Sequence, residues 1–130
     1  MSQKEIEVIL ARQLASYLAM PIIIIDSLGT FLFYNEPAES ILGVRFEETG
    51  EIPADQWMAT VRPRDEHGTP LAPEARPLMV ALTERRPVHV EMWLQGLDQV
   101  HRHIEVTAFP LIGQAGRHLG AMAIFWEIKE

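Results

Sequence analysis

The chain has 130 residues, no cysteine and a formal net charge of −7. This length fits one domain with one core, and hydrophobic residues at 48% with charged residues at 22% are typical of a folded chain. The negative charge disfavours a general nucleic-acid binder and docking on anionic membranes, while the lack of cysteine excludes disulfides, thiolate metal sites and cysteine nucleophiles.

The N-terminal segment is predicted to be an amphipathic helix. Ser2 followed three residues later by Glu5 is a capping-box pattern, and Pro21 requires the helix to end before it. Apolar side chains recur every four residues on one face, at Ile6, Leu10, Leu14 and Leu18. Periodicity does not say what this face contacts, so a helix packed on its own domain and a dimerising helix are equal alternatives. We treat 1–19 as a flanking helix and 20–130 as the domain.

Two short β-rich runs follow at 22–26 and 30–34, separated by the sequence DSLG. Runs of this kind around a tight turn predict a β-hairpin. Asn35 is a favourable N-cap and Gly43 a favourable C′ residue, which predicts a short helix over 36–42. The residues of this helix expected to face inward are Ala38, Ile41 and Leu42.

Residues 44–76 are rich in proline and charge, and their signals are weaker. We expect loops there, with a helical turn near 53–59 and a turn at the sequence DEHG. Pro77 is tolerated in a first helical turn and predicts a helix over 77–85. The residues that this helix is expected to bury are Leu78, Met79 and Leu82.

The last third of the chain predicts three strands, at 88–94, 100–109 and 118–128. The first two alternate between apolar and polar residues, and the third is apolar on both faces, which predicts a strand covered on both sides or central in its sheet. Strands grouped at the two ends of the chain with helices between them indicate an antiparallel α+β domain with helices on one sheet face.

The order and residues of these elements resemble a PAS domain over residues 14–128. The opening strand, the D-x-x-G turn, and YN before a short helix ending in ILG are similar to the start of that family. Its sensor-kinase members have a helix and strand similar to HGTPLAPEARPLMVALTERRPVHVE. Its closing hairpin is similar to HRHIEVTAFPLIGQAGRHLGAMAIFWEI.

The resemblance implies a five-stranded antiparallel sheet, short helices on one face, and often a ligand cavity between them. Alternation along the strands and helices then predicts the side chains that line this pocket. They are Ile25 (or Ile23), Phe33, Ile41, Leu42, Met79, Leu82, Val90, Met92, Ile104, Val106, Met122 and Ile124. The alternative is that the same residues form a filled core, since both arrangements need inward apolar side chains.

The C-terminus departs from the family pattern. PAS domains often end in D-I-T, a junction that helps to pass a signal to the following helix, and the corresponding residues here are Glu127, Ile128 and Lys129. Glu127 keeps an acidic residue and Ile128 an apolar one, but Lys129 lacks the hydroxyl group of the threonine. The chain ends at Glu130 without an effector, so we expect either an excised fragment or a partner that binds in trans.

Neither a metal nor a prosthetic group is favoured. His101 and His103 share a strand face and His89 is expected on the neighbouring strand, but no carboxylate or cysteine cluster accompanies them, so we predict solvent-facing histidines and no metal site. In haem-binding relatives the axial histidine is on the long helix, and 77–85 has none. A flavin would stack on tryptophan, although core packing is favoured and a cysteinyl adduct is excluded. The tryptophans are Trp57, Trp93 and Trp126.

Catalytic residues are not predicted either. Glu91 and Arg102 are expected to form an ion pair across the 88–94/100–109 hairpin. The carboxylates of the sequence DEHG are better explained by a turn than by catalysis. The sequence contains no nucleophile elbow, phosphate loop or metal motif, so we expect no enzyme. A cone-shaped α+β isomerase or dehydratase is the enzymatic alternative, and the order of strands and helices fits it poorly.

We therefore expect a signal-sensing domain of two-component type that binds a small apolar or amphipathic ligand, forms a homodimer, or both, to regulate an effector such as a histidine kinase. A ligand-free dimerisation module is the alternative. The predicted interior holds no arginine cluster, which favours an apolar ligand over a dianion. No stretch approaches the ~20 apolar residues of a membrane span, so we do not expect membrane insertion. The N-terminus lacks the pattern of a signal peptide, and we therefore expect a cytoplasmic location.

Overall fold

The computed structural model describes residues 6–96 and 98–128, apart from the side chain of Ser16. Six antiparallel strands form one sheet in the order β2-β1-β6-β5-β4-β3. The strands are β1 (Ile22–Asp26), β2 (Phe31–Tyr34), β3 (Arg62–Arg64), β4 (Val88–Gln95), β5 (His101–Ile112) and β6 (His118–Glu127). The helices are α1 (Ile6–Tyr17), α2 (Glu36–Leu42), α3 (Phe46–Thr49), α4 (Ala54–Thr60) and α5 (Pro77–Glu84), with 3₁₀ turns at Pro73–Ala75 and Gln114–Gly116.

The predicted α+β architecture is confirmed, with one strand more than expected. The additional strand, β3, has three residues and lies at the edge of the sheet, paired with β4. Its central residue is Pro63, which has no backbone N–H to donate to a neighbouring strand. For this reason the sequence predicted a loop here. An edge strand tolerates this proline because only one of its sides is paired.

The helix predictions are confirmed for α2 and α5. Asn35 caps α2, with its side chain accepting a hydrogen bond from the amide of Ala38, and Gly43 ends it in the left-handed conformation at φ 84°. Helix α5 begins at Pro77 as predicted, although Met79 is half-buried rather than buried. The sequence signals missed α3, and the capping-box residues of the first helix lie outside the described residues.

The sheet has apolar contacts on both faces, which we call the front and the back. The short helices α2 to α5 cover the front face, where the larger core lies. Helix α1 lies on the back face, with Val8 and Ala15 buried against Ile22, Ile24 and Met122. Burial from both sides explains why β6, which lies between β1 and β5, is apolar on both of its faces, as predicted.

Asn35 holds the first half of the chain together. Its side chain is 2% exposed and makes four hydrogen bonds. Its Oδ1 accepts from the amides of Ile22 (3.0 Å) and Ala38 (3.2 Å), and its Nδ2 donates to the carbonyls of Ala15 (2.8 Å) and Met20 (2.8 Å). One amide therefore joins the end of α1, the start of β1 and the start of α2.

We expect Asn35→Ala to lower the free energy of unfolding by about 3 kcal/mol, because it leaves two buried amides, one buried carbonyl and one part-buried carbonyl without their partner. Asn35→Asp should be at least as destabilising, since a carboxylate cannot donate to the two carbonyls. Urea unfolding followed by circular dichroism measures both values.

The matched control is Asp26→Ala, which also removes two side-chain bonds to amides, those of Leu28 and Thr30, but at a half-buried turn. It should cost only about 1 kcal/mol. A loss for Asn35→Ala no larger than that of the control would show that Asn35 is an ordinary helix cap.

Candidate ligand-binding site

An apolar cavity of about 50 Å³ lies between the front face of the sheet and the helices, and we call it the front cavity. Its sheet side is formed by Met92, Leu94, Ile104, Val106, Ala123 and Phe125. Its opposite side is formed by Leu42, Trp57, Val61, Arg76 and Leu78, and Pro63 of the edge strand β3 also lines it. A single water needs roughly 10–15 Å³, so the front cavity is large enough for a compact guest.

Trp57 anchors one wall of the front cavity. Its ring stacks on Phe31, with ring centroids 4.5 Å apart, and its Nε1 donates to the carbonyl of Gly29 at 2.7 Å. The indole is 3% exposed and its polar group is satisfied, so α4 is held against the β1–β2 turn. The other two tryptophans, Trp93 and Trp126, lie on the back face, away from the cavity.

Arg76 is the charged residue of the cavity wall, and the sequence analysis missed it. Its side chain is buried, with Nη1 donating to the carbonyl of Val61 at 3.2 Å and Nη2 to that of Met58 at 3.1 Å. Its Nε has no hydrogen-bond acceptor. Burial lowers the pKa of the guanidinium, although arginine remains protonated at neutral pH. Its position directly before Pro77 gave no signal that it turns inward.

The structure places nine of the twelve predicted pocket residues at the front core. Four of them line the cavity itself, namely Leu42, Met92, Ile104 and Val106. Three are buried beside it, namely Ile25, Ile41 and Leu82. Met79 and Val90 are partly buried at its margin. Ile23, the alternative to Ile25, also lines the cavity.

The placement of Phe33, Met122 and Ile124 in the same pocket is wrong. These three side chains belong to the back core under α1. The strand register gives the reason. Phe33 and Met122 both pair with Ile24, and Ile124 pairs with Ile22. The side chains of Ile22 and Ile24 point to the back, and paired residues point to the same side of the sheet. On a strand that is apolar on both faces, alternation does not reveal which set points to which side.

The predicted stripe on α1 faces away from its own domain. The side chains of Ile6, Leu10 and Leu14 are 65%, 55% and 58% exposed, and that of Leu18 is 39% exposed. The residues that pack on the sheet are instead Val8 and Ala15, with Ala11 beside them. The helix thus packs on its domain through a different face, and the larger side chains of the stripe stay exposed among the residues that the structure describes.

The back face of β4 and β5 carries histidines beside carboxylates, which the sequence analysis did not pair. His89 lies 3.7 Å from Glu105 and His103 lies 3.7 Å from Glu91, while the ring of His103 stacks on Trp93 at 4.5 Å. Within the described part of the chain, no three histidine or acidic side chains are grouped so that they would hold a metal ion.

The predicted Glu91–Arg102 ion pair is wrong. Glu91 lies opposite Glu105 in the ladder, and Arg102 is opposite Leu94, whose side chain points to the front. Arg102 instead pairs with Asp98 at 3.0 Å and donates to the carbonyl of Ile41 at 2.6 Å. This contact fastens the end of α2, and with it one wall of the cavity, to the β4–β5 hairpin.

The hydrogen bond from Arg102 lowers the pKa of Asp98. Because the pKa of Asp98 is lower in the folded state, its ionised carboxylate stabilises the fold when the pH is above the unfolded-state pKa of about 3.9. This stabilisation is lost as the pH falls through the folded-state pKa. We expect Asp98→Asn to be less stable than the wild type by about 1 kcal/mol at pH 7, and the difference to shrink below pH 4. Thermal unfolding from pH 2 to pH 7 measures it.

The control for this prediction is Glu66→Gln, which removes an exposed carboxylate that has only a loose contact to His67. At pH 7 it should change the free energy of unfolding by less than Asp98→Asn does. A constant difference between Asp98→Asn and the wild type over the whole pH range would mean that the charge of Asp98 does not contribute.

Comparison with known proteins identifies the family. A family model described as PAS fold matches residues 16–130. The chain belongs to the PAS family. PAS domains are generally sensory and signalling modules rather than enzymes, and they commonly interact with effectors or with other PAS domains. No curated protein matches the chain.

Solved PAS structures share this fold at low sequence identity. The PAS domain of Bordetella pertussis BvgS is 18% identical with a TM-score of 0.62, covering 95% of this chain and 87% of its own. The PAS domain of nitrogen regulation protein NR(II) from Vibrio parahaemolyticus is 16% identical with a TM-score of 0.63, covering 92% and 98%. The Rhodobacter sphaeroides LOV protein is 11% identical with a TM-score of 0.70, covering 96% and 69%. At these identities the likeness shows the fold alone.

None of the helices in residues 6–96 and 98–128 is long and apolar enough to cross a membrane.

Proposed function

We propose that this PAS domain is a sensor that holds a small apolar or amphipathic ligand in the front cavity, forms a homodimer through α1, and thereby regulates a signalling effector. The observation that carries the ligand part is the cavity, whose lining is almost entirely apolar and includes Leu42, Met92, Ile104 and Val106 of the predicted pocket. Well-packed interiors contain few voids larger than a water molecule, so an apolar void of this size supports the binding of a small ligand.

The cavity is connected to α1 through β2. Phe31, at the start of β2, lines the cavity, and Asn35, directly after β2, binds the end of α1. Arg12 of α1 also lies over the ring of Phe33, with its Cζ 4.7 Å from the ring centroid. A ligand that moves β2 therefore has two direct contacts through which to move α1, provided that it binds one position of β2 better than the other.

The dimer part rests on the exposed stripe of α1. An exposed apolar stripe on a small acidic domain is typical of an interaction surface. A second copy of the same helix offers the same apolar side chains, so two helices can bury them against each other. Signalling would then consist of a ligand-dependent change in the relative position of the two helices.

The ligand is best sought in the protein as it is purified from cells. We expect native mass spectrometry to show extra mass that is lost on denaturation, and the visible spectrum to be flat. Extra mass identifies the ligand directly. A haem or flavin absorption band would contradict the apolar ligand and favour a coloured PAS sensor instead. A colourless dimer of unmodified mass would favour the ligand-free dimerisation module.

The dimer is tested with Leu10→Asp and Leu14→Asp. Because both side chains are more than half exposed, each change should alter the stability of the monomer by no more than about 0.5 kcal/mol. Each should nevertheless weaken dimerisation by about tenfold or more, since a buried carboxylate has no partner in the apolar interface. Sedimentation equilibrium measures the dissociation constant.

Leu28→Asp is the control, because it makes the same exchange at a side chain that is 82% exposed but lies in the turn between β1 and β2, away from α1. It should sediment like the wild type. If Leu10→Asp and Leu14→Asp also sediment like the wild type, α1 does not form the interface.

A further inference from the structure

The side chains that line the front cavity present almost no hydrogen-bonding group to a guest. Among the described lining residues, Trp57 and Arg76 alone carry side-chain nitrogen or oxygen atoms. The Nε1 of Trp57 already donates to the carbonyl of Gly29. The terminal nitrogens of Arg76 donate to the carbonyls of Val61 and Met58, and its Nε is buried. Arg76 therefore lines the cavity with the hydrocarbon part of its side chain.

The backbone on the sheet side of the cavity is equally closed to a guest. Ile104 and Val106 belong to β5, which pairs with β4 and β6 on its two sides. Ala123 and Phe125 belong to β6, which pairs with β5 and β1. The N–H and C=O groups of such strands are bonded to their neighbours within the sheet. A guest with a hydroxyl, an amide or a charge would leave that group without a partner, which is costly in an apolar interior.

The volume of the front cavity limits its guest to a few atoms. This volume is about 50 Å³, whereas a dry apolar cavity of roughly 150 Å³ holds benzene. In proportion, the front cavity has room for about two or three non-hydrogen atoms. Ala123 keeps this space open, since it has the smallest side chain on the sheet side of the lining.

We propose that the front cavity binds a neutral gas or a small hydrocarbon, with no hydrogen-bonding group and about two or three non-hydrogen atoms. This inference rests on the proposed sensor function and names the class of its ligand. It selects the apolar ligand over the amphipathic one, because the lining offers nothing to bind a polar head group. Selection then depends on the size of the guest and on the cost of burying a polar group.

The probes are ethane, methanol, which replaces one methyl group of ethane by a hydroxyl, and benzene, which exceeds the proposed size. Methyl ¹H–¹³C spectra of the full chain measure their binding. We expect ethane to shift the resonances of Leu78, Ile104 and Val106 and to bind about tenfold or more tighter than methanol, whose hydroxyl would have no partner. Benzene should leave these resonances unchanged. The methyl groups of Val8 and Ile24 in the back core are the internal control and should not respond to ethane.

A variant that fills the cavity locates the binding site. Ala123→Val adds two methyl groups to the lining and should weaken the binding of ethane by about tenfold or more, because the space is then occupied. Ala72→Val makes the same exchange at an exposed position and should bind ethane like the wild type. Unchanged ethane binding by folded Ala123→Val would overturn the assignment to the front cavity. The comparison of probes on the wild type does not depend on whether this variant folds.

The remaining outcomes separate this inference from the sensor proposal. Equal binding of ethane and methanol by the wild type would overturn the inference, and so would benzene that binds as tightly as ethane. If ethane does not bind while protein from cells carries a larger or charged molecule, the inference falls and the sensor proposal stands. If ethane does not bind and no extra mass is found, both fall.

Discussion

The side chain of Asn35 is the constraint on which the rest of the structure depends. It sits between the two faces of the sheet, 2% exposed, and bonds to α1 and to the residue before Pro21 on one side, and to β1 and α2 on the other. Hydrogen bonds of this kind are worth about 1 kcal/mol each when made, but a buried group left without a partner costs more. The back-face helix and the front-face helices are therefore not independent layers.

This coupling gives a physical route from the front cavity to the exposed stripe of α1. The cavity contacts β2 through Phe31, and β2 contacts α1 through Asn35 and through Arg12 over Phe33. The stripe of Leu10 and Leu14 faces outward only because the smaller Val8 and Ala15 already fill the contact with the sheet. Small side chains let the helix approach the sheet closely, and the large ones are left exposed on its outer side.

Local rules predicted most of the elements but not all of the site. Asn35 and Gly43 marked both ends of α2, Pro77 marked the start of α5, and alternation gave the inward faces of β4 and β5. The same reasoning failed on β6, where both faces are apolar and the sides of Met122 and Ile124 depend on their pairing with β1. It also failed for Arg76, since a charged residue in a proline-rich segment is ordinarily exposed.

The sequence by itself determined the α+β class, the order of all strands and helices except β3 and α3, and the apolar character of the interior, because these depend on caps, turns and periodicity that act over a few residues. The tertiary structure alone decided which face of α1 meets the sheet, which residues of β1 and β6 turn towards the cavity, and that Arg76 turns inward with one nitrogen left vacant. These features depend on register and on contacts between segments far apart in the chain. No local pattern encodes them, since the same residues would satisfy the same local rules in either orientation.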